Sequence, residues 1–126
     1  MARKIIYTDD APEPIGPYSQ GVLVNGMLFV SGQIPIDPFS GALVQNSIEE
    51  ETEQVMQNLK AILQAAEMDF TNVVKCSIFL TDMQHFPKVN AVYGNYFDKN
   101  APARETVEVS ILPKNARVEI SCIAVR

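Results

Sequence analysis

Apolar and polar residues change period along this chain, and each change marks an element. In V-L-V-N-G-M-L-F-V-S-G-Q, Asn25-Gly26 sits between two apolar runs. That dipeptide is the strongest short-range sign of a tight hairpin. Met27, Leu28, Phe29 and Val30 are apolar on both faces of their strand, so both faces of the sheet are expected to be covered. The period then lengthens. Ile48, Val55, Met56, Leu59, Ile62, Leu63 and Ala66 recur at helical spacing and predict a long amphipathic helix running to about Glu67. Ser47 opens it, with Glu50 three residues on as a capping box, and Glu49, Glu50 and Glu51 suit the positive end of the helix dipole. Val74 to Leu80 reads as a strand. A second helix starts near Phe86-Pro87, with Pro in its first turn. Phe86, Val89, Tyr93, Tyr96 and Phe97 mark its buried stripe, and Asn100-Ala101-Pro102 ends it.

The segment from Ala101 to Arg126 reads as two more strands joined by a Pro-containing turn, a hairpin. Alternation puts Val107, Val109 and Ile111 on one face of the first strand, and Val118, Ile120, Cys122 and Ala124 on one face of the second. The opposite faces carry Arg104, Thr106, Glu108 and Ser110, then Arg117, Glu119 and Ser121. Guanidinium, hydroxyl and carboxylate groups would then share one polar face. An Arg placed at the mouth of a strand is suited to gripping a carboxylate through two parallel hydrogen bonds. A Glu on a neighbouring strand can hold or deprotonate a water.

The predicted order is strand, strand, helix, strand, helix, strand, strand, with room for a small extra strand near the N-terminus: an α+β fold in one domain, 1–126. Its 126 residues, 47% apolar and 20% charged, suffice for a single core. Two helices can cover only one face of such a sheet. The other face, mixed in polarity with Ile123 and Val125 among its apolar positions, is expected to pair with further subunits, which would put a site at a subunit boundary. Net charge is −5 with scattered basic residues, which argues against nucleic-acid and membrane-surface partners. Cys76 and Cys122 lie in predicted strands outside zinc or C-x-x-C spacing and read as buried thiols. His85 is the only histidine, which argues against a His-based metal site or a Ser-His triad, and it reads as a solvent-facing residue at a helix start. The N-terminus lacks a long apolar stretch, so a cytoplasmic protein is expected.

Six strings, in order along nearly the whole chain, resemble the reactive intermediate deaminase family (RidA, or YjgF-type). They are I-G-P-Y-S-Q-G (Ile15–Gly21), V-S-G-Q-I-P (Val30–Pro35), V-N-A-V-Y (Val89–Tyr93), P-A-R-E-T-V-E-V (Pro102–Val109), L-P-K (Leu112–Lys114) and V-E-I-S-C-I-A-V (Val118–Val125). The resemblance implies a chorismate-mutase-like fold, a homotrimer whose sheets form a central barrel, and clefts between subunits. It implies hydrolysis of reactive enamines and imines such as 2-aminoacrylate to 2-oxo acids and ammonia, without cofactor or metal. By position, it implies Arg104 as the clamp for the substrate carboxylate and Glu119 as the group that activates water. Tyr18, Ser31 and Asn90 would line the cleft. Thr106 stands where many members carry a cysteine, and it keeps a hydrogen-bonding group but no thiol.

Imine hydrolysis needs only a held carboxylate, one placed water and managed protons, so orientation and modest acid–base help suffice. Structural alternatives stand beside these roles: Arg104 as an intersubunit ion-pair partner, Glu119 paired with Arg117 or Lys114, Tyr18 as packing under the Pro-rich lead-in. Alternative functions are a non-catalytic trimer that binds a 2-oxo acid, and the RNA cleavage or chaperone-like holding attributed to members of this family. A pI near 4.8 and the absence of a basic patch argue against RNA.

Overall fold

The computed structural model describes residues 2–126; Met1, at the head of the N-terminal stretch, lies outside them. Asn25 and Gly26 both take positive φ, 52° and 76°, as a two-residue hairpin turn requires. They join β2 (Gly21–Val24) to β3 (Met27–Gln33). A short β1 (Lys4–Ile6) pairs antiparallel with β2. Then follow α1 (Ile48–Ala65), β4 (Val73–Leu80), α2 (Phe86–Gly94), β5 (Ala103–Glu108) and β6 (Val118–Val125). The predicted order is found, the small N-terminal strand included. The Ser47 hydroxyl accepts the Glu50 amide at 3.1 Å and starts α1.

The sheet order is β1-β2-β3-β6-β4-β5. Here the hairpin expectation fails. β4 lies between β5 and β6, parallel to the first and antiparallel to the second. The connection is a packed loop, not a turn. Leu112 and Ala116 are buried with Ile34 and Ile36, and Val109 packs on them. Lys114 and Asn115 take left-handed backbone conformations, which redirect the chain across the end of β4.

This order overturns the shared polar face. Residues paired across a sheet lie on the same face. Arg104 pairs with Cys76 and Thr106 with Ile78, both buried under the helices. Glu119 pairs with Phe79 and Ser121 with Ser77, on the other face. Val107 faces that open side too, 40% exposed, and Ile111 is 73% exposed rather than part of a buried strand face.

Both helices pack on one side. Val55, Met56, Leu59, Ile62 and Leu63 of α1 are fully buried against Leu28, Ile78, Leu80, Val118 and Ile120. Each such side chain contributes about 1.5–3 kcal/mol. The opposite face, expected to be covered, lies open in the single chain, with Ile5, Met27, Phe29 and Val125 exposed. Cys76 and Cys122 are buried free thiols, paired across β4 and β6.

Two further details differ from expectation. α2 ends at Gly94, before Asn100, because Gly and then Asn95 favour termination. Tyr96 and Phe97 still pack on the core, but from the turn that follows. His85 is half-buried, and its Nδ1 is sealed from solvent without a hydrogen-bond partner. Among the described residues, no helix is long and apolar enough to cross a membrane.

Glu51, 2% exposed in the first turn of α1, forms a bidentate ion pair with Arg117, whose Nε donates to Oε1 at 3.0 Å. Removing one partner leaves a buried charge uncompensated. Arg117→Ala should therefore destabilise the chain by about 3 kcal/mol, read from urea unfolding midpoints. Replacing both Glu51 and Arg117 by Met should recover most of that loss.

Candidate active site

Two clusters of chemistry-bearing side chains emerge, one on each side of the sheet. The first lines a cleft of about 340 Å³ that includes Tyr18, Ser31, Gly32 and Glu119. Its geometry begins at the end of β3, where the register against β6 slips between Val30 and Gln33. Such irregularities re-aim side chains near functional sites. A Cβ on Gly32 would lie 2.6 Å from Glu119 Oε2 and 2.7 Å from Cδ, so a side chain there would push the Glu119 carboxyl out of this position. Glu119 is half-buried, and burial pushes its carboxyl above the usual carboxylate range. Among the described residues no side chain bonds or pairs with it. Arg117, two residues before it on the chain, is taken by Glu51.

The Pro-rich lead-in forms the outer wall. Ser31 ties it to β3: its amide donates to the Gln20 carbonyl at 2.9 Å and its hydroxyl to the Ser19 carbonyl. Tyr18 is exposed, and its hydroxyl accepts the Ile15 amide at 3.3 Å. Gln20, which sequence reading passed over, is the anchor. It is 2% exposed, donates to the carbonyls of Thr8, Ala11 and Pro12, and accepts the Thr8 amide at 2.7 Å. A loop without secondary structure must satisfy its backbone groups somewhere, and a polar residue at the loop–strand junction was the available signal.

The second cluster sits on the helix side at the β5 edge. The Arg104 guanidinium lies over the rings of Phe86 at 5.3 Å and Tyr93 at 5.1 Å. Its Nη1 donates to Asn90 Oδ1 at 2.7 Å. Phe86, Asn90 and Tyr93 share one face of α2 at helical spacing. One of five N–H groups is thus used, and Arg104 remains exposed with the rest of its fork free. Thr106 Oγ1 is buried nearby without a partner, and the buried Tyr93 hydroxyl lies beside the Cys76 thiol. Burial keeps Cys76 and Cys122 as neutral thiols by raising their pKa.

The structure thus brings together Tyr18, Ser31 and Glu119, and separately Asn90, Arg104 and Thr106. It does not join the two groups. Arg104 and Glu119 are two strands apart and three residues offset along β4, roughly 14 Å between Cα positions at ordinary strand spacing and rise, with side chains on opposite faces. The first group can hold and deprotonate a water; the second can grip a carboxylate. Among the described residues, no group of His, Cys, Asp and Glu is disposed to hold a metal ion.

The family model described as Endoribonuclease L-PSP matches residues 8–126. The 2-iminobutanoate/2-iminopropanoate deaminase of Rattus norvegicus is 51% identical over 126 residues, covering 100% of this chain and 92% of its own. The crystal structure of the Rid-family protein YyfA from Yersinia pestis superposes with a TM-score of 0.95 at 49% identity, over 99% of this chain and 100% of that one. TdcF from E. coli, crystallised with bound serine, gives 0.93 at 40% identity over 98% of each. With the six-stranded mixed sheet and its two helices, these matches make the chain a member of the RidA/YjgF family.

Proposed function

We propose that this protein is a hydrolytic deaminase of reactive 2-imino acids and their enamine tautomers, with its site completed between copies of the chain. The observation that carries the reading is the pair of half-sites. Arg104 is pre-positioned with a free fork, and Glu119 is half-buried and unpaired. They face opposite ways on one sheet, so a substrate a few ångströms long reaches both only if they come from different chains. The exposed apolar face supports an assembly of that kind, and a homotrimer is the form the family resemblance implies. The rat relative's deaminase activity supports the reaction class. The net charge of −5 favours a small substrate over RNA.

In this mechanism Arg104 of one copy clamps the carboxylate, and Asn90, Phe86 and Tyr93 fix the clamp. Glu119 of the next copy takes a proton from water as its oxygen attacks C2, and the C=N electron pair moves to nitrogen. Glu119 then returns the proton to nitrogen. The hydroxyl proton of the resulting carbinolamine then passes through Glu119 to nitrogen as the C–N bond breaks, so ammonia leaves and the carbonyl forms. Its raised pKa brings Glu119 closer to serving as both base and acid near neutrality. Thr106 and Tyr18 donate hydrogen bonds around substrate and water, and Ser31, whose hydroxyl proton goes to the Ser19 carbonyl, accepts one. No thiol is needed, which suits Thr106 in place of a cysteine. If the same pocket only sensed a 2-oxo acid, binding would persist with no measurable kcat.

Arg104→Ala should lower kcat/KM for 2-iminopropanoate by about 10²–10³-fold, and Arg104→Lys should recover only part, since an ammonium cannot grip bidentately. Ammonia release from imine generated in situ by an amino-acid oxidase reads both. Glu119→Gln should lower kcat by about 10²–10⁴-fold. A base works deprotonated, so the wild-type rate should fall as pH drops through the Glu119 pKa, and that limb should lie above the ordinary glutamate range. The Gln variant should lack the limb. Gly32→Ala should lower kcat about 10²-fold by displacing Glu119. Its thermal midpoint should change little, because the displaced atoms end a flexible side chain.

A further inference from the structure

We infer that the Glu119 cleft contains a preformed apolar subsite for the substrate's side chain, so that the enzyme favours imino acids with extended aliphatic chains over 2-iminopropanoate. This deepens the deaminase reading and rests on it. The trigonal C2 of an imino acid has three substituents. The carboxylate is drawn to Arg104 of another copy, and the nitrogen must stay near Glu119 to receive its proton. The side chain is the substituent left to enter the rest of this cleft. Beside the polar Gln20, Ser31, Gln33 and Glu119, its lining includes five apolar residues, Pro12, Ile15, Ile34, Ile36 and Pro113. A methyl group fills about as much space as one water, ~30 Å³, whereas the cleft, open in the single chain, measures about 340 Å³.

The subsite is rigid on both sides. Ile34 and Ile36 rest on buried Leu112 and Ala116. Asn58, fully buried on α1, donates to the Ile34 and Ile36 carbonyls at 3.2 and 3.0 Å. The opposite wall, Pro12 and Ile15, is held by Gln20 and by the Tyr18 hydroxyl. A preformed apolar wall loses little to ordering when a chain enters. Glu13, whose carboxylate accepts the Tyr7 hydroxyl, also borders the cleft, and its negative charge disfavours an anionic side chain.

The test compares kcat/KM for imines made in situ from alanine, 2-aminobutyrate, norvaline, leucine and glutamate. Rates should rise about fourfold per added carbon from alanine to leucine, the factor that ~0.8 kcal/mol per buried methylene sets. The glutamate-derived imine should fall below the norvaline-derived one. Ile15 is 59% exposed, so Ile15→Ala should fold, and it should reduce the leucine-to-alanine ratio at least threefold. A flat or falling series with 2-iminopropanoate still hydrolysed would overturn the subsite and leave the deaminase standing. An unchanged ratio in Ile15→Ala would likewise overturn it. No acceleration of any imine would remove the deaminase reading itself.

Discussion

Cys76 on β4 lies between Arg104 on β5 and Cys122 on β6, and the seating of β5 beside β4 dictates where chemistry can occur. A parallel neighbour shares its faces with the strand it joins. Because Cys76 and Ile78 point into the core beneath the helices, Arg104 and Thr106 must point that way too. Arg104, at the exposed edge, emerges beside α2 and finds two aromatic faces and one amide. Had β5 paired with β6 as a hairpin, the guanidinium and the Glu119 carboxylate could have met within one chain. The intervening strand forbids it. The loop that makes the crossing possible is fixed by Leu112 and Ala116 packing on Ile34 and Ile36, so one small cluster both routes the chain and floors the Glu119 cleft.

Two kinds of rigidity follow. Arg104 is held by two aromatic rings and by Asn90, with its remaining donors unused. Glu119 is held by lack of space and loss of water: Gly32 lets it lie close to β3, and burial makes its charge costly. One half-site is therefore a permanent cation ready for an anion. The other is a carboxylate whose proton affinity is raised toward working pH. Joined across copies, they would supply binding and proton transfer without a covalent step.

Local signals were legible where the physics is local. Asn25-Gly26 turns as its dipeptide requires, Ser47 caps α1, and the apolar spacing of Val55, Leu59 and Ile62 places that helix against the sheet. Alternation also assigned Val118, Ile120 and Cys122 to the buried face. It could not tell which strand would lie beside β5, because strand order is decided by long-range packing, and so it put Arg104 and Glu119 on one face. The end of α2 was set too late by reading Pro102 as the stop instead of Gly94. The site residues were legible only through strings that resemble a family. Gly32 was quoted in one of them, but its close approach to Glu119 depends on the register slip in β3. Gln20 was missed because its four bonds reach residues far back in the lead-in.

The central claim is that Arg104 and Glu119 of different chains form each site. Subunit mixing tests it most directly. Arg104→Ala and Glu119→Gln chains, each inactive alone, would be dissociated, mixed in equal amounts and reassembled, and imine hydrolysis measured. In a closed ring, random assembly puts an intact Arg104 opposite an intact Glu119 at about one site in four, so recovery to roughly a quarter of wild-type activity is predicted. If mixed assemblies form but stay as inactive as either parent, the two residues act within one chain or not together, and the account is contradicted.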